Sequence, residues 1–218
     1  YNAPDEYLRD ADIAMYRAKA RGKARYEIFD QTMRDYIMSR LELDADLRSA
    51  IERQELTLYY QPVINLADQK IVGFESLLRW FHPEKGTISP NVFIPIAEET
   101  GLILPLGDWV LQKATKQLSM WQSEIPDANI HVSVNLSGKQ LVHPDLVDQI
   151  ENAIQQSSIC SSHLKLEVTE SDIINDTETA AAVLQDIKQL GVGTQMDDFG
   201  TGYSSLSYLH QFPFDVIA

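Results

Sequence analysis

The chain has little with which to staple or anchor itself. Its 218 residues include one cysteine, Cys160, which excludes an internal disulfide framework and a cysteine-built zinc site. No stretch comes near the ~18 consecutive apolar residues that a membrane-spanning helix needs. The opening segment, Tyr1–Asp10, is polar and acidic, unlike a secretory signal. Positive charge is scarce: 18 Lys and Arg stand against 32 Asp and Glu, a net charge of −14. Such a chain repels phosphate polymers, so no nucleic-acid polymer is expected as a partner. Any nucleotide it binds needs a cation or a local arginine. What is present is ordinary for a globular protein, 44% hydrophobic and 23% charged, which excludes intrinsic disorder and allows one or two domains. A cytoplasmic location is the expectation, with any membrane anchor of a parent protein lying in other segments.

Two helical stretches come first. From Asp5 to Arg21, Leu8, Ile13, Met15 and Tyr16 recur at helical spacing, with Pro4 where a first turn tolerates it and Gly22 as the stop. Tyr26–Phe29 alternates like a short strand. Gln31–Arg53 is a second helix, with Ile37, Leu41, Leu47 and Ile51 near one stripe and neither Gly nor Pro. It reads either as a stiff connector between modules or as a surface helix packed on one of them.

After Gln54 strands alternate with helices. Leu56–Ile64 and Lys70–Trp80 read as a hairpin joined at Ala67–Gln69, followed by helices at Asn91–Thr100 and Gly107–Trp121. Then come strand His131–Leu136, helix Leu146–Gln156, strand His163–Val168, helix Glu178–Leu190, strand Val192–Met196, helix Ser204–Leu209 and an apolar run at Phe214–Ile217. A strand and helix every ~30 residues argue for parallel βαβ units.

The polar residues gather at strand ends. Glu75 interrupts an apolar strand, Asn135 ends His131–Asn135, Glu167 ends Leu164–Glu167 with Glu170 just beyond, and Asp197 and Asp198 follow Val192–Met196. A lone strand-end carboxylate is usually a helix cap or a surface charge. Asp198-Phe-Gly-Thr-Gly202 alone could be a tight turn. Four oxygen-bearing side chains expected in register on successive strands are a different matter. In a βα barrel such ends converge on one face, where active sites form. Carboxylates gathered there repel one another unless a cation neutralises them. Glu75, Asn135, Glu167 and Asp197 form an all-oxygen set suited to Mg²⁺ or Mn²⁺ rather than zinc. The adjacent Asp197 and Asp198 could serve a pair of ions of the kind that activates water at a phosphodiester. Arg79 shares the parity of Glu75, so both leave the same face; it is a phosphate ligand or a salt-bridge partner. Gln61 ends the first strand and could meet a base edge. The five histidines show no metal-ligand spacing, and Cys160 has no activating partner in sequence.

The run Gly73-Phe-Glu-Ser-Leu-Leu-Arg-Trp80 resembles the signature of EAL domains, cyclic di-GMP phosphodiesterases, with Ser76 where the family usually has Ala. The resemblance continues through Tyr60-Gln-Pro62, Phe93–Gly101, Asn135-Leu-Ser137, Glu167-Val-Thr-Glu170 and Asp197–Leu206, in the family's order over Gln54–Ala218. It implies an α/β fold, a TIM-like (β/α) barrel whose first strand is antiparallel. It implies Mg²⁺- or Mn²⁺-dependent hydrolysis of cyclic di-GMP to linear pGpG, in a homodimer formed through the EAL domain. By the same resemblance Glu75, Asn135, Glu167 and Asp197 are the primary metal ligands and Asp198 a ligand of the second ion. Glu170 steadies the loop after Asp197, Arg79 binds phosphate, and Leu77 packs beside the ligand.

Residues 1–30, with Leu8–Gly22 and Phe29-Asp30 as the matching segments, resemble the last helix and strand of a GGDEF (diguanylate cyclase) domain. The nucleotide-binding body of that domain is absent. A tandem protein is implied: 1–30 a GGDEF remnant, 31–53 a linker helix, 54–218 an EAL domain. Ala218 stands where the family has a lysine that orients water or holds the second metal. The family's later site residues and last barrel strands have no counterpart here, so the barrel is incomplete within this sequence. Three readings therefore stand open: phosphodiesterase, inactive cyclic di-GMP receptor, and pure dimerisation module.

Overall fold

The computed structural model describes residues 4–20, 24, 26–126, 128–174, 176–200 and 212–217. The chain divides into two compact units, Tyr1–Ser49 and Ala50–Ala218. In the first, helix α1 (Pro4–Ala20) carries its proline at the first position, where no helical donor is lost. Helix α2 (Gln31–Ala50) starts where Asp30 caps it, the Asp30 carboxylate accepting from the Met33 N–H at 2.9 Å. The Thr32 hydroxyl and that N–H hold the Asp30 carboxyl below its usual range.

Tyr26–Phe29 is not the strand that its alternation suggests. It is irregular, with Tyr26 and Ile28 86% and 77% exposed. A strand needs a partner edge, and among the described residues of this unit there is none. The helix expected to reach Arg53 ends at Ala50, where the chain turns through Gln54 at φ +58°.

The second unit is built on one sheet. Strands β1 (Leu56–Ile64) and β2 (Ile71–His82) form an antiparallel hairpin, with β1 antiparallel as the resemblance implies, and β3 (Gly86–Ile88) folds back on β2. Helices α3 (Pro90–Thr100) and α4 (Ile103–Glu124) lead to β4 (His131–Leu136). The next two βα units are β4 with α5 (Gly138–Leu141) and α6 (Leu146–Ser157), then β5 (Leu164–Thr169) with α7 (Glu170–Ile174) and α8 (Thr177–Gln189). Strand β6 (Gly193–Asp197) and the short β7 (Val216–Ile217) complete the order β1-β2-β4-β5-β6-β7, parallel from β2 onward. The short elements β3, α5 and α7 were not foreseen from sequence. The helix expected over Ser204–Leu209, Gly202 of the turn and Ala218 lie outside the described residues.

Side-chain alternation divides the sheet into two chemically distinct faces. Val132, Val134, Leu136, Leu164, Leu166, Val168 and Met196 form one face, each at most 3% exposed, in a single core with α4, α6 and α8. The helices meet it with apolar residues at helical spacing: Leu111, Ala114 and Leu118 from α4, Leu146, Ile150 and Ala153 from α6, and Ala180, Leu184 and Ile187 from α8. Each buried Leu or Ile contributes ~1.5–3 kcal/mol. This apolar layer leaves the opposite face free to carry polar residues.

At the end of β2 the fully buried Trp80 donates its indole N–H to Glu55 at 3.0 Å, edge-on to Phe93. Glu55 is itself buried, and its carbonyl accepts from the Phe81 N–H at 2.8 Å. Trp80→Phe keeps an aromatic ring but removes the donor to one Glu55 oxygen, leaving that carboxylate only the longer contact to Arg53 at 3.9 Å. Urea unfolding should show a loss of ~2 kcal/mol or more; a midpoint equal to wild type would mean that water replaces the bond at no cost.

Candidate active site

The second face of the sheet holds every strand-borne residue singled out from sequence. Register places Glu75, Ser133, Lys165 and Gly193 side by side on β2, β4, β5 and β6. Asn135, Glu167 and Gln195 form the next row toward the C-terminal ends, and Thr169 and Asp197 the row beyond. The four oxygen ligands expected in register therefore share a face but not a level. Glu75 sits one row below Asn135 and Glu167, and Asp197 one row above. Parallel strands of a coiled sheet are sheared against one another, so equal rank on each strand does not mean equal height.

Contacts bridge the stagger. The Asn135 side-chain amide donates to a Glu75 oxygen at 2.9 Å, and the Gln195 amide donates to Glu167 at 3.1 Å. Burial pushes the Glu167 carboxyl above its usual pKa, and the negative charges of Glu75 and Asp197 add to the rise. Ser133 works the other way. Its buried hydroxyl meets no partner at full hydrogen-bond geometry among the described residues, yet it lies near enough to Glu167 to oppose the rise. Lys165 lends a weaker positive charge from below. Among the described residues no three His, Cys, Asp or Glu side chains already form a closed cage. The arrangement is a staggered set of oxygens on one face rather than a closed cage.

The loop after β6 is shaped tightly. Asp198 is exposed and holds φ +57°, a left-handed conformation unusual for a residue with a side chain, and Gly200 follows at φ +94°. Glu170, the first residue of α7 and 8% exposed, accepts from the Gly200 N–H at 3.2 Å. The geometry thus joins Glu170 to the loop after Asp197.

Arg79 and Leu77 extend the Glu75 face along β2, and Gln61 lies opposite Glu75 on β1. The Arg79 guanidinium donates to the Leu78 carbonyl at 2.8 Å and lies 5.9 Å from the Tyr59 ring centroid. A cavity of about 210 Å³ opens beside Leu77 and Arg79, reaching Asn135, Ile94 and Gln140. Gln61 is exposed.

Sequence reasoning missed several members of this face. Gln195 could have been found, because it precedes Asp197 by one strand period, as Ser133 precedes Asn135. Lys165 and His131 lie deeper on the same face. The His131 ring sits where a side chain on Gly73 would be, 2.5 Å from the position of a built Cβ, so the glycine makes room for it. Asp172, whose carboxylate accepts from the Gly138 N–H at 2.8 Å and the Thr169 hydroxyl at 2.6 Å, has no local sequence signal.

A family model described as the EAL domain matches residues 44–218. The chain belongs to the EAL domain family. The match opens inside α2, earlier than the boundary at residue 54 read from sequence. This EAL chain is 44% identical over 208 residues to MucR of Pseudomonas aeruginosa, a bifunctional diguanylate cyclase/cyclic di-GMP phosphodiesterase, covering 95% of this chain and 30% of that protein. It is 40% identical over 210 residues to the cyclic di-GMP phosphodiesterase PdeR of Escherichia coli, covering 96% and 31%. It therefore spans under a third of the length of these curated relatives. A solved structure of the PaMucR phosphodiesterase in complex with c-di-GMP superposes with a TM-score of 0.77 at 44% identity, covering 81% of this chain and 71% of that one.

Electrostatics at the floor of the site make one measurable difference. Burial, followed by the Lys165 charge, lowers the His131 pKa from 6.5 to about 4, against a hydrogen bond that the ring donates to the Val72 backbone. Between those values the unfolded chain takes up a proton that the native ring refuses, so stability falls as pH drops from 6.5 toward 4. At a half-exposed ring screened by solvent the loss is on the order of 1–2 kcal/mol. His131→Gln should flatten that part of the stability–pH curve in urea titrations; an unchanged slope would contradict the assignment.

Proposed function

We propose that this chain is the catalytic part of a bacterial second-messenger enzyme that hydrolyses one phosphodiester of cyclic di-GMP, giving linear pGpG. One observation carries the reading. Strands β2, β4, β5 and β6 deliver Glu75, Asn135, Glu167 and Asp197 to a single face, toward the strand ends where barrel enzymes hold their sites. Relatives named as cyclic di-GMP phosphodiesterases support the substrate, as does the c-di-GMP complex of PaMucR.

The donor set fits hard divalent cations. It is made of oxygens, and Glu167 carries the raised pKa of a carboxyl crowded by like charge. Glu75, Asn135, Glu167 and Asp197 would hold one Mg²⁺ or Mn²⁺, and Asp198 with Asp197 a second. When bound, such ions supply the positive charge that offsets both the carboxylates and the reacting phosphodiester. The protein's own groups do the rest. Arg79 offers a two-pronged donor to a phosphate, Leu77 packs against the dinucleotide, and Gln61 faces it from β1. Glu170 holds the Gly200 backbone and so fixes the loop that carries Asp198.

The wider architecture follows the same reading. The sheet from β1 to β7 belongs to a TIM-like barrel, residues 1–30 are the tail of a GGDEF domain, and 31–53 form the linker, helical as far as Ala50. The diguanylate cyclase in MucR's name supports this, since its match reaches 95% of this chain. The enzyme is cytoplasmic and forms a homodimer through the EAL domain. A second reading, a receptor that binds cyclic di-GMP without cleaving it, is favoured by Ala218 at the family's lysine position.

Incubating the full-length protein with cyclic di-GMP and Mg²⁺ or Mn²⁺ should yield pGpG by chromatography. Binding without product would establish the receptor instead. Glu75→Ala should abolish metal-dependent turnover while the fold survives; full activity in that variant would remove Glu75 from the ligand set.

A further inference from the structure

We propose that Asp172 is a positioning residue that locks two strand ends together and so sets the spacing of Asn135 and Glu167. The proposal rests on the reading of those two as cation ligands. Asn135 lies on β4 just before its junction with α5, and Glu167 lies on β5 just before its junction with α7. One carboxylate spans both junctions. An oxygen of Asp172 accepts from the Gly138 N–H at 2.8 Å, three residues beyond Asn135, and the other accepts from the Thr169 hydroxyl at 2.6 Å, two residues beyond Glu167.

The Thr169 bond alone would be a local cap at the start of α7. The Gly138 bond is not local, since it crosses 34 residues of sequence and joins neighbouring βα units. Both sides of it are specially shaped. Gly138 has no side chain, and a Cβ built there would lie 3.0 Å from the Asp172 carbonyl and carboxylate oxygens. Ser137 and Gln140 form a reciprocal capping box that fixes the turn presenting the Gly138 N–H, and the buried Gln140 side chain fits only because Gly107 beneath it also lacks one. The fold also tolerates like charge to keep this carboxylate. Glu98 on α3 has its carboxyl raised first by burial and then by Asp172, with Lys139 opposing. A ligand pair held by such a brace needs no rearrangement when a cation arrives.

The test is Mn²⁺ binding to the full-length protein without substrate, followed by electron paramagnetic resonance, with thermal unfolding in parallel. Asp172→Ala should weaken Mn²⁺ binding about 10-fold, the lower end of what lost outer-shell partners cost. Asp172→Asn should bind close to wild type, because its carbonyl still accepts from Gly138 and its amide can donate to Thr169. Gly138→Ala should weaken Mn²⁺ binding by itself, and the Asp172→Ala, Gly138→Ala double variant should be no worse than the weaker single one. Wild-type binding by Asp172→Ala, or an Asn variant as weak as the Ala variant, would overturn the brace. If Asp172→Ala fails to fold, Gly138→Ala decides: unaltered Mn²⁺ binding overturns it. A wild type that binds no Mn²⁺ would instead overturn the cation-site reading, and the brace with it.

Discussion

Alternation along parallel strands is the constraint on which everything else in the larger unit rests. Successive side chains leave opposite faces, so a strand that commits Val132, Val134 and Leu136 to the helices must send His131, Ser133 and Asn135 the other way. The apolar face supplies the free energy of folding, and the polar face is carried along with it. A cluster of mutually repelling carboxylates would be costly to assemble from flexible loops. On this sheet their positions follow from packing on the far side.

Repulsion on that face is real but graded by depth. His131 lies in the lowest row, Lys165 beside Glu75 in the next, and Glu167 and Asp197 in the two rows above. Burial lowers the Lys165 pKa while Glu167 and Asp215 oppose the shift, so a cation lies one row beneath Glu167. Asp215 holds the next strand in place. Its carboxylate meets the Thr194 N–H at 3.0 Å and the Lys188 ammonium at 3.1 Å, and these outweigh burial to keep its pKa low.

Much of this was legible in the sequence, because strand period and residue type are local properties. The β1–β2 hairpin, the strand His131–Leu136 and the membership of Glu75, Asn135, Glu167 and Asp197 on one face could be read directly. What could not be read was relational. The stagger between rows depends on the shear of the whole sheet. Tyr26–Phe29 had the pattern of a strand but no partner edge among the described residues of its unit. Helices of four and five residues, α5 and α7, are too short to show a period. Asp172 escaped notice because its decisive partner, Gly138, lies far away in sequence and contributes only a backbone N–H.

The reversed first strand has a mechanical meaning. In an all-parallel barrel the chain enters its first strand at the end remote from the chemistry. Here β1 runs the other way, so residues 50–55 arrive at the rim where β2 ends. Glu55 grips that rim twice, through the Trp80 indole and the Phe81 amide. The incoming chain is thus fastened to the outer end of the strand that bears Glu75 and Arg79.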